Sequence, residues 1–203
     1  MINRRTALTS AAAALAAPSL LSAKTTSNEP PVDADGLFTQ DFFHTSFLDM
    51  AEDHAEAAAQ GKHLMVLWEQ KGCPYCRELH LVNFARDEIR DYLHENYLVL
   101  QLNLWGDKEV TDFDGEVMIE KTIARKWFVS FTPTTIMFNA NDVGAQDLRD
   151  AEAFRLTGYF KPFHFISGLE YGASDVYREQ PFQRFVQARF DHLEEQGLDP
   201  DLW

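Results

Sequence analysis

The chain has 203 residues, with 32 acidic against 18 basic side chains and a formal net charge of −14 at pH 7. That balance argues against binding nucleic acid or docking on anionic lipid, because both need a basic surface. It leaves basic protein partners, or simply a well-solvated surface. The chain opens on what reads as an export signal. Arg4 and Arg5 form a twin-arginine pair, an alanine-rich apolar stretch runs from Ala7 to Ala17, and small residues continue to Ala23. The stretch is too short and too weakly apolar for a membrane span. An alanine-rich tail or a single membrane anchor are the alternatives to a cleaved signal. Residues 1–23 are therefore expected to direct export to the periplasm. Residues 24–36 read as a flexible leader, 37–190 as one domain and 191–203 as a C-terminal tail.

Asp49 to Gln60 is rich in alanine and acids and predicts a helix stopped by Gly61. His63 to Trp68 is continuously apolar, the pattern of a buried central strand. Glu78 to Glu95 predicts one long helix with Leu79, Val82, Ile89 and Leu93 on its inner face. Tyr97 to Leu104 alternates leucines and reads as a strand, and Trp105 to Gly115 as an acidic loop. Five acids between Asp107 and Glu116 raise the question of calcium, but their spacing does not fit an EF-hand loop. Val117 to Trp127 predicts a second helix, Thr134 to Phe138 a strand, Asn139 to Gly144 a turn and Arg155 to Tyr159 an edge strand. From Lys161 the pattern is helical and aromatic-rich to Phe190, broken near Gly172 and at Pro181. The order β, α, β, α, β, β, α makes the first two strands parallel through a right-handed crossover and the later pair a hairpin. The expected class is α/β: a central mixed sheet flanked by helices, with a helical C-terminal extension.

The chain has two cysteines, Cys73 and Cys76, in Lys71-Gly72-Cys73-Pro74-Tyr75-Cys76 at the junction of the first strand and the following helix. Two cysteines at this spacing can open and close a disulfide, and a helix N-terminus favours the thiolate. In an exported protein such a pair is driven toward the disulfide and must be re-reduced by another agent. A purely structural bridge this short constrains little of the unfolded chain. A zinc site needs two further ligands, with His80 the one nearby candidate.

Cys73-Pro74-Tyr75-Cys76, followed much later by Phe131-Thr132-Pro133-Thr134 directly before a strand, resembles the thioredoxin superfamily from about Asp49 to Phe190. The resemblance implies the thioredoxin fold, with a cis bond at Thr132–Pro133 and Pro133 facing the cysteines. Glu69 to His80 and the run Tyr177 to Phe185 look closest to SoxW-like periplasmic thioredoxins, found with bacterial sulfur-oxidation systems. The chain also departs from ordinary thioredoxin. Cys-Pro-Tyr-Cys is also the glutaredoxin pattern, and Thr132 before the proline resembles the periplasmic disulfide isomerases. Leu67 stands where thioredoxin has a buried aspartate, which leaves the proton acceptor for Cys76 open.

These features make Cys73 the expected nucleophile, with Pro74 at the first helical position and Cys76 one turn deeper as the resolving thiol. Thiols so placed drop from about 8.5 to about 3.5–7.5, a range that includes members of the thioredoxin superfamily. Cys73, Cys76 and Pro133 are the expected catalytic residues, and Thr132, Tyr75 and Pro74 the expected substrate-binding ones. Glu69, near the end of the apolar strand, is the candidate for proton transfer; the alternative is a strand-end carboxylate facing water. His80 shares a helix face with Cys76 and either tunes the pair or is an ordinary hydrogen-bonded helix histidine. The expected activity is thiol–disulfide oxidoreduction on protein disulfides by a monomer with no metal and no cofactor beyond the Cys73–Cys76 disulfide. A glutaredoxin- or isomerase-like enzyme, or a non-enzymatic adaptor or metal carrier, is the alternative. The implied partners are a membrane electron donor and a sulfur-oxidation protein, with no nucleic acid.

Overall fold

The computed structural model describes residues 29–198, so the expected export signal, residues 24–28 of the leader and residues 199–203 lie outside the described residues. Helix α1 (Met50–Ala59) starts at Asp49, whose carboxylate accepts from the backbone N–H groups of Ala51 and Glu52. Strand β1 (His63–Glu69) is buried from Leu64 to its end. Cys73 then caps helix α2 (Pro74–Glu78), which runs into a π-turn over Leu79–Asn83. Helix α3 (Asp87–Asn96) leads into strand β2 (Tyr97–Asn103). A short hairpin, β3 (Glu109–Thr111) and β4 (Val117–Ile119), precedes α4 (Glu120–Lys126) and β5 (Thr134–Phe138). The single-turn α5 (Leu148–Ala151), strand β6 (Glu152–Thr157), α6 (Pro162–Ala173) and α7 (Phe182–Glu195) complete the described chain.

The four-stranded sheet has the order β2-β1-β5-β6. β1 pairs parallel with β2 and antiparallel with β5, and β6 closes the far side antiparallel to β5. Because side chains alternate along a strand, β1 divides its apolar residues between two cores. Leu64, Val66 and Trp68 join Ile123 and Trp127 on one face. Met65 and Leu67 join Leu79, Phe84, Leu93 and Phe165 on the other. Glu69 follows Leu67 by two residues and so belongs to this second face. Among the described residues no helix is long and apolar enough to cross a membrane.

Four expectations about local structure need correction. The helix predicted over Glu78–Glu95 is broken, because the chain widens into the π-turn, with the Phe84 N–H on Leu79 O and the buried Asn83 amide donating to Phe160 O. Arg86 is then extended, which starts α3 as a separate helix. The acidic stretch after Trp105 contains the β3–β4 hairpin, so the helix expected from Val117 begins at Glu120. Asp112 there is buried, accepting from Trp127 Nε1 at 3.1 Å and pairing with Lys126 Nζ at 2.7 Å. Lys126 also meets Asp114 and Glu116, so one cation gathers three of the five acids, and their charge holds it well above the usual lysine range. The last edge strand lies earlier than expected, at Glu152–Thr157, since Gly158 takes a positive φ. Finally, residues 29–36 pack on the domain instead of trailing from it. Glu29 binds Arg77, Asp33 accepts from the Leu37 N–H, and Asp35 pairs with Lys108.

Candidate redox site

The site forms where β1 ends. Gly72 adopts φ +73°, a conformation that costs glycine little, and turns the chain into α2. Cys73 takes the N-cap position: it is extended, and its Sγ accepts from the Cys76 N–H at 3.0 Å. Pro74 follows at the first helical position, where its missing N–H leaves no bond unmade. Cys73 and Cys76 form a disulfide with their Cα atoms 5.2 Å apart. Cys73 keeps 4% of its surface exposed and Cys76 none, so Cys73 is the more accessible of the pair.

The second motif arrives at the same sulfur. Thr132 Oγ1 donates to Cys73 Sγ at 3.3 Å, and Thr132 O lies 3.5 Å from that atom. The Thr132–Pro133 peptide is cis, and Pro133 leads directly into β5, the neighbour of β1. Thr134 Oγ1 closes the turn by donating to Phe131 O at 2.9 Å. Thus Cys73, Cys76, Thr132 and Pro133 meet at one end of the sheet. Pro74 and Tyr75 are exposed beside them, Tyr75 at 62%.

Glu69 does not face water. It is 1% exposed, and its carboxylate accepts from His80 Nε2 at 3.2 Å and from Gln101 Nε2 at 2.5 Å. The other hydrogen of the Gln101 amide goes to Phe38 O at 2.7 Å. His80 Nδ1 sits 3.0 Å from Gln40 Nε2. An amide NH₂ can only donate, so Nδ1 accepts and the imidazole hydrogen lies on Nε2, facing Glu69. With both ring nitrogens engaged, His80 is not available as a zinc ligand beside the cysteines. Among the described residues, one other group could gather metal-ligating atoms: His44, Asp53 and Glu56, within 4.8 Å of one another, with neither cysteine among them.

A model of the thioredoxin-like domain matches residues 50–173. The chain belongs to that family. No curated protein matches it. Among solved structures, it is similar to a thioredoxin-fold protein from Helicobacter pylori, at 19% identity and a TM-score of 0.49 over 70% of this chain and 96% of that one. It is also similar to a thioredoxin from Thermus thermophilus, at 22% identity and a TM-score of 0.47, covering 61% of this chain and 82% of the other. The C-terminal domain of Neisseria meningitidis DsbD in its oxidised form shares 13% identity, with a TM-score of 0.41 over 62% of this chain and 97% of that domain.

In this thioredoxin-like domain, three contributors to the site carry no motif that sequence reasoning picks out. Gln101 sits on β2 opposite Leu67, on the face where its neighbour Val99 is core, so a polar residue at an inward position is the one available signal. Gln40 comes from the segment ahead of α1, for which the pattern predicts no element. That segment runs along the outer edge of β2, with the His44 N–H on Val99 O at 2.8 Å. Trp105 is 65% exposed and donates Nε1–H to Gln70 Oε1 at 2.6 Å, and Gln70 O in turn accepts from the Cys73 N–H. With Tyr75 and the 65% exposed Phe131, it gives the segments that carry the site three exposed aromatic side chains.

Proposed function

We propose that this protein is an exported thiol–disulfide oxidoreductase that reduces protein disulfides through Cys73 and Cys76. The observation that carries the reading is the Cys73–Cys76 disulfide at a helix start with the Thr132 hydroxyl on the sulfur of the more accessible cysteine. In the reduced protein, the Cys76 N–H and the Thr132 O–H are both donors to Cys73 Sγ, and donors to sulfur favour the thiolate. The Cys73 thiolate attacks a partner disulfide and releases one partner thiol. Cys76 then attacks Cys73 Sγ, re-forms the internal disulfide and releases the second partner thiol. Glu69, a buried carboxylate two residues beyond Leu67, takes the proton that Cys76 must lose.

Thr132, Pro74 and Tyr75 line the place where a partner segment would lie, with Trp105 and Phe131 extending it. Exposed aromatic side chains suit a protein partner, since each offers a large contact area at small entropic cost. The Arg4-Arg5 signal supports a periplasmic location, which requires a membrane electron donor to keep the dithiol reduced. The SoxW-like resemblance supports a sulfur-oxidation protein as the substrate. The dithiol is the redox group, and the protein works as a monomer without metal. Reduction of a protein disulfide by the parent and by Cys73→Ser tests the activity, and trapping with Cys76→Ser in the native periplasm identifies the partner. Full reductase activity in Cys73→Ser refutes the proposal.

A further inference from the structure

Four polar side chains from distant parts of the chain meet where β1 ends: Glu69, His80, Gln101 and Gln40. Glu69 and His80 are essentially inaccessible to solvent, and three rings enclose the imidazole: Phe38, Phe43 and Phe84, with centroids 5.4, 5.9 and 5.0 Å away. Burying a carboxylate among aromatic rings is costly unless its oxygens are hydrogen-bonded. Here they are, by two donors whose own orientations are set from behind. Gln101 is held by Phe38 O, and the His80 tautomer by Gln40. Such pre-orientation is more than the packing of an apolar core requires. Cys76 and His80 are four residues apart along the continuous turn Pro74–Asn83, which places their side chains on one face.

We propose that His80, oriented by Gln40, is a positioning residue that keeps Glu69 a hydrogen-bonded carboxylate able to take the proton of the buried Cys76 thiol. This inference rests on the dithiol reading above. In the mixed disulfide, Cys73 Sγ is bonded to a partner sulfur and Cys76 carries its proton. That proton passes to a Glu69 oxygen. The Cys76 thiolate attacks Cys73 Sγ, the Cys73–partner S–S bond breaks and the Cys73–Cys76 bond forms. The electron pair of the broken bond leaves on the partner sulfur, which takes up a proton, and Glu69 returns to the carboxylate. The dithiol is oxidised and the partner disulfide is reduced. The His80 Nε2–H does not leave the ring; it stabilises the charged form of Glu69 before and after the transfer.

The charges around this unit are few. On β1 and β2 its partners are Glu69 itself and neutral Gln101, and the segment ahead of α1 contributes neutral Gln40. Arg90 and Glu29 line the cavity outside His80, and each has its own partner: Asp87 for Arg90 and Arg77 for Glu29. Lys108 and His44 line the cavity that borders Gln101 and are paired with Asp35 and Glu56. The charged groups outside the unit thus each have a partner of their own.

The test is single-turnover reduction of a single-disulfide peptide by the full-length reduced protein across pH, with rapid acid quench and mass analysis to separate attack from resolution. His80→Leu removes the donor, whereas His80→Gln keeps an amide N–H at similar reach. Gln40→Leu frees the tautomer from a half-buried position and serves if His80→Leu does not fold. Without that donor a buried carboxylate oxygen loses its hydrogen-bond partner. His80→Leu is expected to slow resolution about tenfold or more near neutral pH, with the rate recovering as pH rises, and Gln40→Leu to do so more weakly. His80→Gln is expected to restore most of the parent rate, and attack by Cys73 is expected to be unchanged in all three. Parent-like resolution in His80→Leu, or equal losses in His80→Leu and His80→Gln without a displaced pH profile, would overturn the role of His80. If Cys76→Ser accumulates no mixed disulfide with the peptide, the dithiol reading itself fails.

Discussion

The Thr132 hydroxyl donates to Cys73 Sγ across 3.3 Å, joining two motifs that lie 59 residues apart in the chain. The contact places a donor on the sulfur of the more accessible cysteine. Replacing Thr132 by valine keeps the shape and removes the donor. A hydrogen bond of this kind is worth about 0.5–1.5 kcal/mol, which corresponds to about one pKa unit at most. The Cys73 thiol of Thr132→Val is expected to titrate higher than in the parent by up to that amount. The ultraviolet absorbance of the thiolate, followed against pH in the reduced protein, measures it; an unchanged midpoint would show that the hydroxyl does not act on the thiolate.

The two thiols should differ in reactivity. Cys73 caps α2 and retains some exposure, whereas Cys76 is one turn inside and has none. Alkylation of the reduced protein near neutral pH is expected to label Cys73 first, by a large factor. Peptide mapping at short times reads the order directly, and faster labelling of Cys76 would reverse the roles of nucleophile and resolving thiol.

Trp105 is expected to matter for protein partners and not for small disulfides. It is anchored to Gln70, in the turn that leads to Cys73, and is 65% exposed. Trp105→Ala should lower kcat/KM toward a protein disulfide by about tenfold, the effect of losing an aromatic anchor worth about 1–2 kcal/mol. The rate with a small linear disulfide should stay within about twofold, because such a substrate is too small to need an aromatic anchor away from the sulfurs. Equal losses on both substrates would point to disruption of the Gln70 turn instead.

Away from the site, Asp53 gives the fold a pH dependence of defined sign. It is buried on α1, accepts from Ser46 Oγ at 2.6 Å, and burial pushes its carboxyl up to about 6. The Ser46 bond and the nearby His44 pull the other way but do not prevail. A folded pKa above the unfolded value of about 3.9 means that the protonated form is favoured by folding. The contribution of this group is full below about pH 4 and is lost as pH rises through about 6. Asp53→Asn retains an acceptor for Ser46 without the charge. The variant should therefore exceed the parent in Tm above about pH 6, with the difference vanishing toward pH 4. Thermal unfolding at the two pH values checks it, and a difference independent of pH would exclude Asp53 as its source.

Much of the fold and the heart of the site are legible in the amino-acid sequence alone. The unbroken apolar run from Leu64 to Trp68 is a buried strand because alternate residues enter two different cores, and no polar side could be spared. The adjacent Cys-Pro-Tyr-Cys is a helix start because cysteine and proline suit the first two positions of a turn with unpaired N–H groups. Local pattern also separates the two C-terminal helices near Gly172 and Pro181, since proline cannot continue the preceding turn.

What local pattern cannot decide is where long-range partners override it. The helix after the cysteines has an unbroken helical pattern, yet it breaks because Asn83 is drawn to Phe160 O, 77 residues away. Five acids look like a solvated loop until Lys126 and Trp127 arrive to bury Asp112 in the turn of a hairpin. Glu69 shows the same division most clearly. By sequence it is a strand-end carboxylate, with water as its obvious neighbour. It is buried because His80, from the turn after α2, and Gln101, from a second strand, supply hydrogen bonds in place of solvent, with Gln40 from the segment ahead of α1 holding His80. Strand and helix positions follow from spacing a few residues long. The state of a buried charge depends on partners that only the closed tertiary structure brings within about 3 Å.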